Sequence, residues 1–315
     1  MTGTGSPAPA PGGTAKLAGR TVARIGFGAM QLEHEAVGRD AAVAILRQAV
    51  EAGVNHIDTA RFYGSVNALI RDALAPYPDD LVLVSKVGAV RDAGGQLVPA
   101  QRPEQLREQV EANLATLGVE QVAVVNLRRL DARPGLIAEG DQQVGLDDQL
   151  AEMAALRDAG KIGAIGLSSV SAGQLRQARP AGIACVQNSY GVLDRAAEPV
   201  LELCREYDIA WVPFFPLGSA FPNRLKATDD PTVAGIAADL GATPAQVALA
   251  WLLAHYDHTL LIAGTSDSAH LAENIAAGSL RLSAASVRAL DQVAELDRVT
   301  PHLAVGPESA PERGR

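Results

Sequence analysis

Between Val22 and Ala277 the chain alternates eight times between a short apolar run and a stretch whose apolar residues recur at helical spacing. The first run, Val22 to Phe27, precedes a helix that Asp40 is expected to cap and that Gly53 ends. The pattern then predicts strand 54–59 with helix 65–75, strand 81–86 with helix 103–117, strand 122–127 with helix 146–159, and strand 162–167 with helix 171–178. Strand 183–187 with helix 195–207, strand 209–214 with helix 231–240, and strand 259–263 with helix 267–277 complete it. Strands joined through helices run parallel, and eight such units without a break in composition fit a closed α/β barrel of the (β/α)8 TIM type. A turn at Ala18-Gly19-Arg20 predicts an N-terminal β-hairpin over Lys16 to Met30, and segments 244–255 and 283–296 are left as two extra helices.

At 48% hydrophobic and 20% charged residues the chain can bury a large core, and no linker divides it, so residues 16–306 are expected to form one barrel domain. Residues 1–15, rich in Gly, Pro, Ala and Thr, are expected to be a disordered leader, and residues 307–315 a flexible tail. A net charge of −9 without a basic stripe argues against a nucleic-acid partner. No run nears the roughly eighteen apolar residues of a membrane span, and no signal segment is visible, so the expectation is a cytoplasmic protein, monomeric or weakly homo-oligomeric. Cys185 and Cys204 read as buried thiols and His56 as a hydrogen-bonded core residue. His255 and His258 read as helix-end residues, and no metal site is expected.

Chemistry is concentrated where the apolar runs stop. Asp58 and Tyr63 follow strand two, Lys86 ends strand three, Arg128 strand four, Ser168 and Ser169 strand five, Gln187 strand six, Phe214 strand seven, and Thr265 and Ser266 strand eight. The longest irregular pieces, Ala89–Arg102, Ala132–Gly145 and Gly218–Asp230, also follow strands, and in a TIM barrel that end carries the active site. A lysine beside a tyrosine hydroxyl is expected to lower the phenol pKa, with a carboxylate holding the pair in place, as a general acid requires. Gly26-Phe27-Gly28 is not a dinucleotide fingerprint, because Gln31 stands where the third glycine belongs.

The ordered motifs, D-T-A-R-F-Y-G at 58–64, S-K-V-G at 85–88, G-L-S-S at 166–169, V-Q-N-S-Y at 186–190 and W-V-P-F-F-P-L-G-S at 211–219, together with G-T-S-D-S-A-H-L-A-E-N at 264–274, resemble the aldo-keto reductase family over about residues 17–300. The resemblance implies reduction of an aldehyde or ketone, the small-molecule carbonyl substrate, by hydride transfer from a nicotinamide, with Asp58, Tyr63 and Lys86 as catalytic residues. It further implies that Ser168, Ser169, Gln187 and Phe214 hold the nicotinamide, and that Gly28, Met30, Asp58, Phe215 and Pro216 contact the cofactor. Leu217, Gly218 and Ser219 would follow the pyrophosphate. Gly264, Thr265, Ser266 and His270 would meet the adenosine phosphate at a helix N-terminus, and Glu273 and Asn274 the adenine. NADPH is the expected cofactor and NADH the alternative, since the family's phosphate-binding Lys and Arg are replaced by Gly264 and His270.

One departure concerns the chemistry itself. Arg128 occupies the place of the family's histidine; a guanidinium cannot act as acid or base, but it can polarise a carbonyl and is expected to depress Tyr63 further. Two other readings stay open: a nucleotide-binding regulatory protein like the family's channel β-subunits, favoured by a large exposed apolar patch, and a nicotinamide-dependent sugar isomerase or dehydratase.

Overall fold

The computed structural model describes residues 9–34, 37–131, 135–218 and 226–299. The expected tail, the first eight residues of the expected leader and Ser219 lie outside these residues. Strands β1 (Thr14–Leu17) and β2 (Arg20–Ala23) form the antiparallel hairpin, with Ala18 and Gly19 at positive φ in its turn. β1 begins inside the segment expected to be leader, and Gly13 accepts a backbone hydrogen bond from Arg24.

Seven strands form a parallel sheet. In chain order they are β3 (Phe27–Gly28), β4 (His56–Asp58), β5 (Val82–Val87), β8 (Val122–Arg128), β9 (Ile162–Ser168), β10 (Ile183–Gln187) and β11 (Ala210–Trp211), and their order in the sheet is the same. Residues 259–262 close the barrel through bridges Trp211↔Thr259 and Ile25↔Leu261 rather than as a full strand. The expected first barrel strand was placed too early, because residues 20–23 pair within the hairpin and only 25–28 join the barrel.

The pleat explains where the core and the site lie. Val82, Val84, Val124, Cys185, Ala210, Val212 and Leu260 pack in one cluster inside the barrel, and Leu17 and Val22 of the hairpin join it. The alternate positions Ile57, Leu83, Val87, Val125, Leu127, Ile165, Leu167, Val186 and Trp211 pack outward against the helices. Continuing the inward parity upward gives Asp58 on β4, Lys86 on β5, Asn126 and Arg128 on β8, Ser168 on β9 and Gln187 on β10. Apolar residues therefore fill the N-terminal end of the interior, and polar ones crown its C-terminal end.

The outer ring comprises α1 (Arg39–Glu51), α2 (Val66–Leu74), α3 (Pro103–Leu117), α4 (Leu146–Asp158), α5 (Ala172–Ala178), α6 (Glu198–Tyr207), α7 (Pro231–Leu240) and α9 (Ser268–Ala276). The two extra helices are α8 (Pro244–His255) and α10 (Ala284–Val299). Asp40 lies in the first turn of α1, and Gly38 rather than Asp40 is the N-cap, without a side-chain bond. The Ala89–Arg102 piece is a second hairpin, β6 (Ala89–Arg91) with β7 (Leu97–Pro99), where Asp92 accepts from Gly94 and Gln96 across the turn. No single helix among the described residues is long and apolar enough to cross a membrane. Leu240 is the one exposed large hydrophobic among the described residues.

Candidate active site

Asp58 and Lys86 meet at the top of the barrel. The Lys86 ammonium donates to Asp58 Oδ1 and, at 3.3 Å, to the backbone oxygen of Thr59, and both side chains are buried. Removing either partner would leave a buried charge, at a cost of roughly 3–5 kcal/mol. The same ammonium lies 5.3 Å from the centroid of the half-buried Tyr63 ring. Asp58 Oδ2 accepts from Gln187 Nε2 at 2.7 Å. A carboxylate there requires the amide nitrogen to face it, which leaves Gln187 Oε1 buried and without a partner.

Buried asparagines brace this dyad from outside. Thr59, next to Asp58, donates to Asn67 Oδ1 at 2.9 Å, and Ser85, next to Lys86, donates to Asn113 Oδ1 at 2.7 Å. Asn67 Nδ2 in turn reaches Asn113 Oδ1 at 2.9 Å, so α2 and α3 lock the register of the two strands that carry the ion pair. Three glutamines do the same for the next strand ends. Gln101 Nε2 reaches the backbone oxygens of both Gly88 and Arg128, Gln109 accepts from Gly88 N, and Gln149 donates to Gln101. Polar residues on the buried face of an amphipathic helix were the available sequence signal for both networks, and neither was anticipated.

The electrostatics correct one expectation. Burial holds the Tyr63 hydroxyl above its ordinary pKa; Lys86 and Arg128 pull it down and Asp58 opposes them, but desolvation prevails. Burial also works against the charge on Lys86, but Asp58 and Tyr63 hold its pKa above the ordinary lysine value. Tyr63 is therefore a protonated phenol and Lys86 an ammonium throughout the neutral range.

Other expected residues separate into two groups. Ser168, Gln187, Phe214 and Arg128 share the crown with Asp58, Lys86 and Tyr63. Ser169 is exposed at φ 58°, a left-handed conformation that asparagine tolerates better than serine, and its N–H donates to the Gln187 backbone oxygen at 2.9 Å. Its neighbour Ser171, not Ser169, caps α5. Phe214 bridges Ser189 beyond the short β11, and Phe215, at φ 55°, stacks edge-on against it at 5.1 Å. Pro216, Leu217 and Gly218 continue this loop half-buried, with Pro216 O packed against Gly191. Met30 lies half-buried just beyond β3.

The second group lies at the eighth strand. Gly264 and Gly28 press backbone to backbone, so a Cβ on either would collide with the other segment. Ser266 and His270 are exposed, and Thr265 and Asn274 buried, with Glu273 between these extremes. At the helix start Asp267 caps α9, accepting from Ala269 N at 2.8 Å and His270 N at 3.0 Å. His56 also differs from expectation. It is buried against Gly26 with neither ring nitrogen in a hydrogen bond, and burial pulls its pKa down to about 4. Among the described residues no group of three or more His, Cys, Asp or Glu could hold a metal ion. Cys185 and Cys204 are buried free thiols.

Comparison with known proteins agrees with this geometry. The sequence model of the Aldo/keto reductase family matches residues 24–295. Pyridoxine 4-dehydrogenase of Escherichia coli is 42% identical over 288 residues, covering 89% of this chain and 98% of that protein. An uncharacterised oxidoreductase of Schizosaccharomyces pombe is 33% identical over 289 residues, covering 89% of each chain. Among solved structures, an aldo/keto reductase of Klebsiella pneumoniae in complex with NADP and acetate superposes with a TM-score of 0.75 at 25% identity, covering 89% of this chain and 94% of that one. A thermostable aldo-keto reductase bound to the inhibitor epalrestat gives a TM-score of 0.75 at 27% identity, over 89% and 99% of the two chains.

Proposed function

The chain belongs to the aldo/keto reductase family and is an NAD(P)H-dependent oxidoreductase acting on carbonyls, and from that premise we propose that it interconverts an aromatic aldehyde and its alcohol, of the pyridoxine type, with Tyr63 as the proton donor. The observation that carries this reading is the buried Asp58–Lys86 pair with its ammonium against Tyr63, at the end of the barrel where TIM-barrel chemistry is built. The substrate class rests on the similarity to pyridoxine 4-dehydrogenase over nearly its whole length.

A bound dihydronicotinamide supplies the hydride that the carbonyl carbon accepts. The protein manages position and protons. Tyr63 delivers its hydroxyl proton to the carbonyl oxygen as negative charge develops there, and solvent restores it. Lys86 stabilises the transient phenolate without giving up its own proton, and Asp58 fixes Lys86. Arg128 stabilises the oxygen from its other side. The residues fit such a cofactor: the orphaned Gln187 Oε1 is an acceptor matched to a carboxamide N–H, with Ser168 ending the neighbouring strand and Phe214 following the next.

NADPH is the cofactor in this reading, with Ser266 and His270 toward the adenosine phosphate. NADH is the second reading, and Asp267 favours it by placing a negative charge where that phosphate would lie. Incubating the protein with pyridoxal and either cofactor, and following the nicotinamide absorbance, tests the whole reading. Consumption of cofactor matched by alcohol formation supports it, and no consumption with pyridoxal or any simple aromatic aldehyde refutes it.

A further inference from the structure

Arg128 is the one buried or half-buried arginine among the described residues whose guanidinium makes no hydrogen bond or ion pair. Arg24 reaches the backbone oxygens of Leu253 and Tyr256, Arg129 binds Asp131 through two nitrogens, and Arg195 reaches Leu290 O. Arg128 has its backbone pinned by Gln101 and its guanidinium 5.9 Å above the Phe62 ring, beside Tyr63. Burial pushes its pKa down, so the charge is held at a cost with no protein anion to offset it. The adjoining wall is apolar: Phe62, Ala60 and Ala89, with Leu97 of the second hairpin and Leu136. A cation with free donors over an aromatic face is a place prepared for a flat, oxygen-bearing ring.

We propose that Arg128 makes this enzyme selective for aldehydes that carry an ionisable hydroxyl on the neighbouring ring carbon, by binding the carbonyl oxygen and the adjacent oxyanion together. The inference rests on the carbonyl-reductase reading of the same site. A guanidinium presents parallel N–H groups in a plane, which match two oxygens as they match a carboxylate. A lone carbonyl uses one of these and leaves another desolvated and unmet, which works against its binding. An ortho oxyanion fills the second and neutralises the charge. A histidine at this place, which the family resemblance implies, would offer a single N–H toward the substrate and make no such distinction. In the pyridoxine class the aldehyde stands beside a ring hydroxyl, as the fork requires.

The test compares salicylaldehyde, 3-hydroxybenzaldehyde and benzaldehyde with the full-length protein and with Arg128→Gln and Arg128→His. The wild type is expected to favour the ortho isomer over the meta isomer by about tenfold or more in kcat/KM, and both variants are expected to bring that ratio near one. A second readout does not depend on turnover. Salicylaldehyde bound to the wild-type protein with oxidised cofactor should show its phenolate absorption band at a pH at least about one unit lower than in water, and Arg128→Gln should abolish this change. An ortho preference or a phenolate shift that survives in Arg128→Gln overturns the proposal, as does equal reduction of all three aldehydes by the wild type. Failure to reduce any aldehyde while an Arg128-dependent phenolate shift remains refutes the reductase reading and upholds the fork.

Discussion

Gln187 on β10 donates a 2.7 Å hydrogen bond to Asp58 on β4, joining positions 129 residues apart across the mouth of the barrel. Its amide oxygen has no partner, so the side chain secures the carboxylate that anchors Lys86 and, under the proposed function, would offer an acceptor to the nicotinamide. Gln187→Leu should lower stability by about 1–3 kcal/mol in denaturant unfolding, because Asp58 Oδ2 loses its donor. Cofactor dissociation constants should rise by about tenfold. Lost stability with unchanged cofactor affinity would confine Gln187 to holding Asp58.

His56 predicts an acid-sensitive fold. Its folded pKa of about 4 lies below the ordinary 6.5, since burial favours the neutral ring and the nearby Leu261 and Ala23 backbones oppose this only partly. The unfolded chain binds the proton first, so stability is complete above 6.5 and falls as pH drops toward 4, by about 3 kcal/mol in all. His56→Gln, which cannot titrate, should shrink the difference in unfolding free energy between neutral pH and about pH 4 by that amount. An unaltered pH dependence would mean that His56 is charged inside the barrel.

Ser169 sits in the left-handed region at φ 58°, where a side chain with a Cβ costs about 1–2 kcal/mol. Ser169→Gly should raise the unfolding free energy by up to about 1 kcal/mol, and Ser169→Val should lower it by a similar amount. Ser169→Asn should in addition tighten cofactor binding if this turn faces the nicotinamide, which titration calorimetry would read directly.

Asp267 caps α9 with a charge, whereas serine would cap it without one. Asp267→Ser should improve NADPH affinity relative to NADH by about two- to fivefold and leave NADH binding unchanged, the size expected of one exposed charge at a helix end. Gly264→Lys is no substitute for this experiment, because a Cβ at that position collides with Gly28 O. Equal effects on both cofactors would place the adenosine phosphate elsewhere.

The polar residues at the strand ends were legible in the sequence, because each of them stops an apolar run. Which face each residue takes came from the structure, where Val82-x-Val84-x-Lys86 and Val124-x-Asn126-x-Arg128 carry the barrel interior up to its polar crown. What escaped was non-local or a balance of opposing terms. The Gly28–Gly264 contact joins the first and last strands and leaves no mark on either alone. The bonds from Asn67 and Asn113 to Thr59 and Ser85 exist only once two helices have packed. Cations near Tyr63 could be counted from motifs, but the burial that outweighs them could not, so the expected direction of its pKa was reversed. Asp267 could have been seen as a cap, since an acid directly before a helical run is a known start signal.

The central claim is that the Tyr63 hydroxyl gives the carbonyl its proton. Tyr63→Phe keeps the ring beside Lys86 and Phe62 and removes only that group. Steady-state reduction of pyridoxal, with cofactor affinity measured in parallel by fluorescence titration, should show kcat/KM down by about 10²–10⁴-fold and cofactor binding unchanged. Turnover within a few-fold of the wild type in Tyr63→Phe would contradict the account.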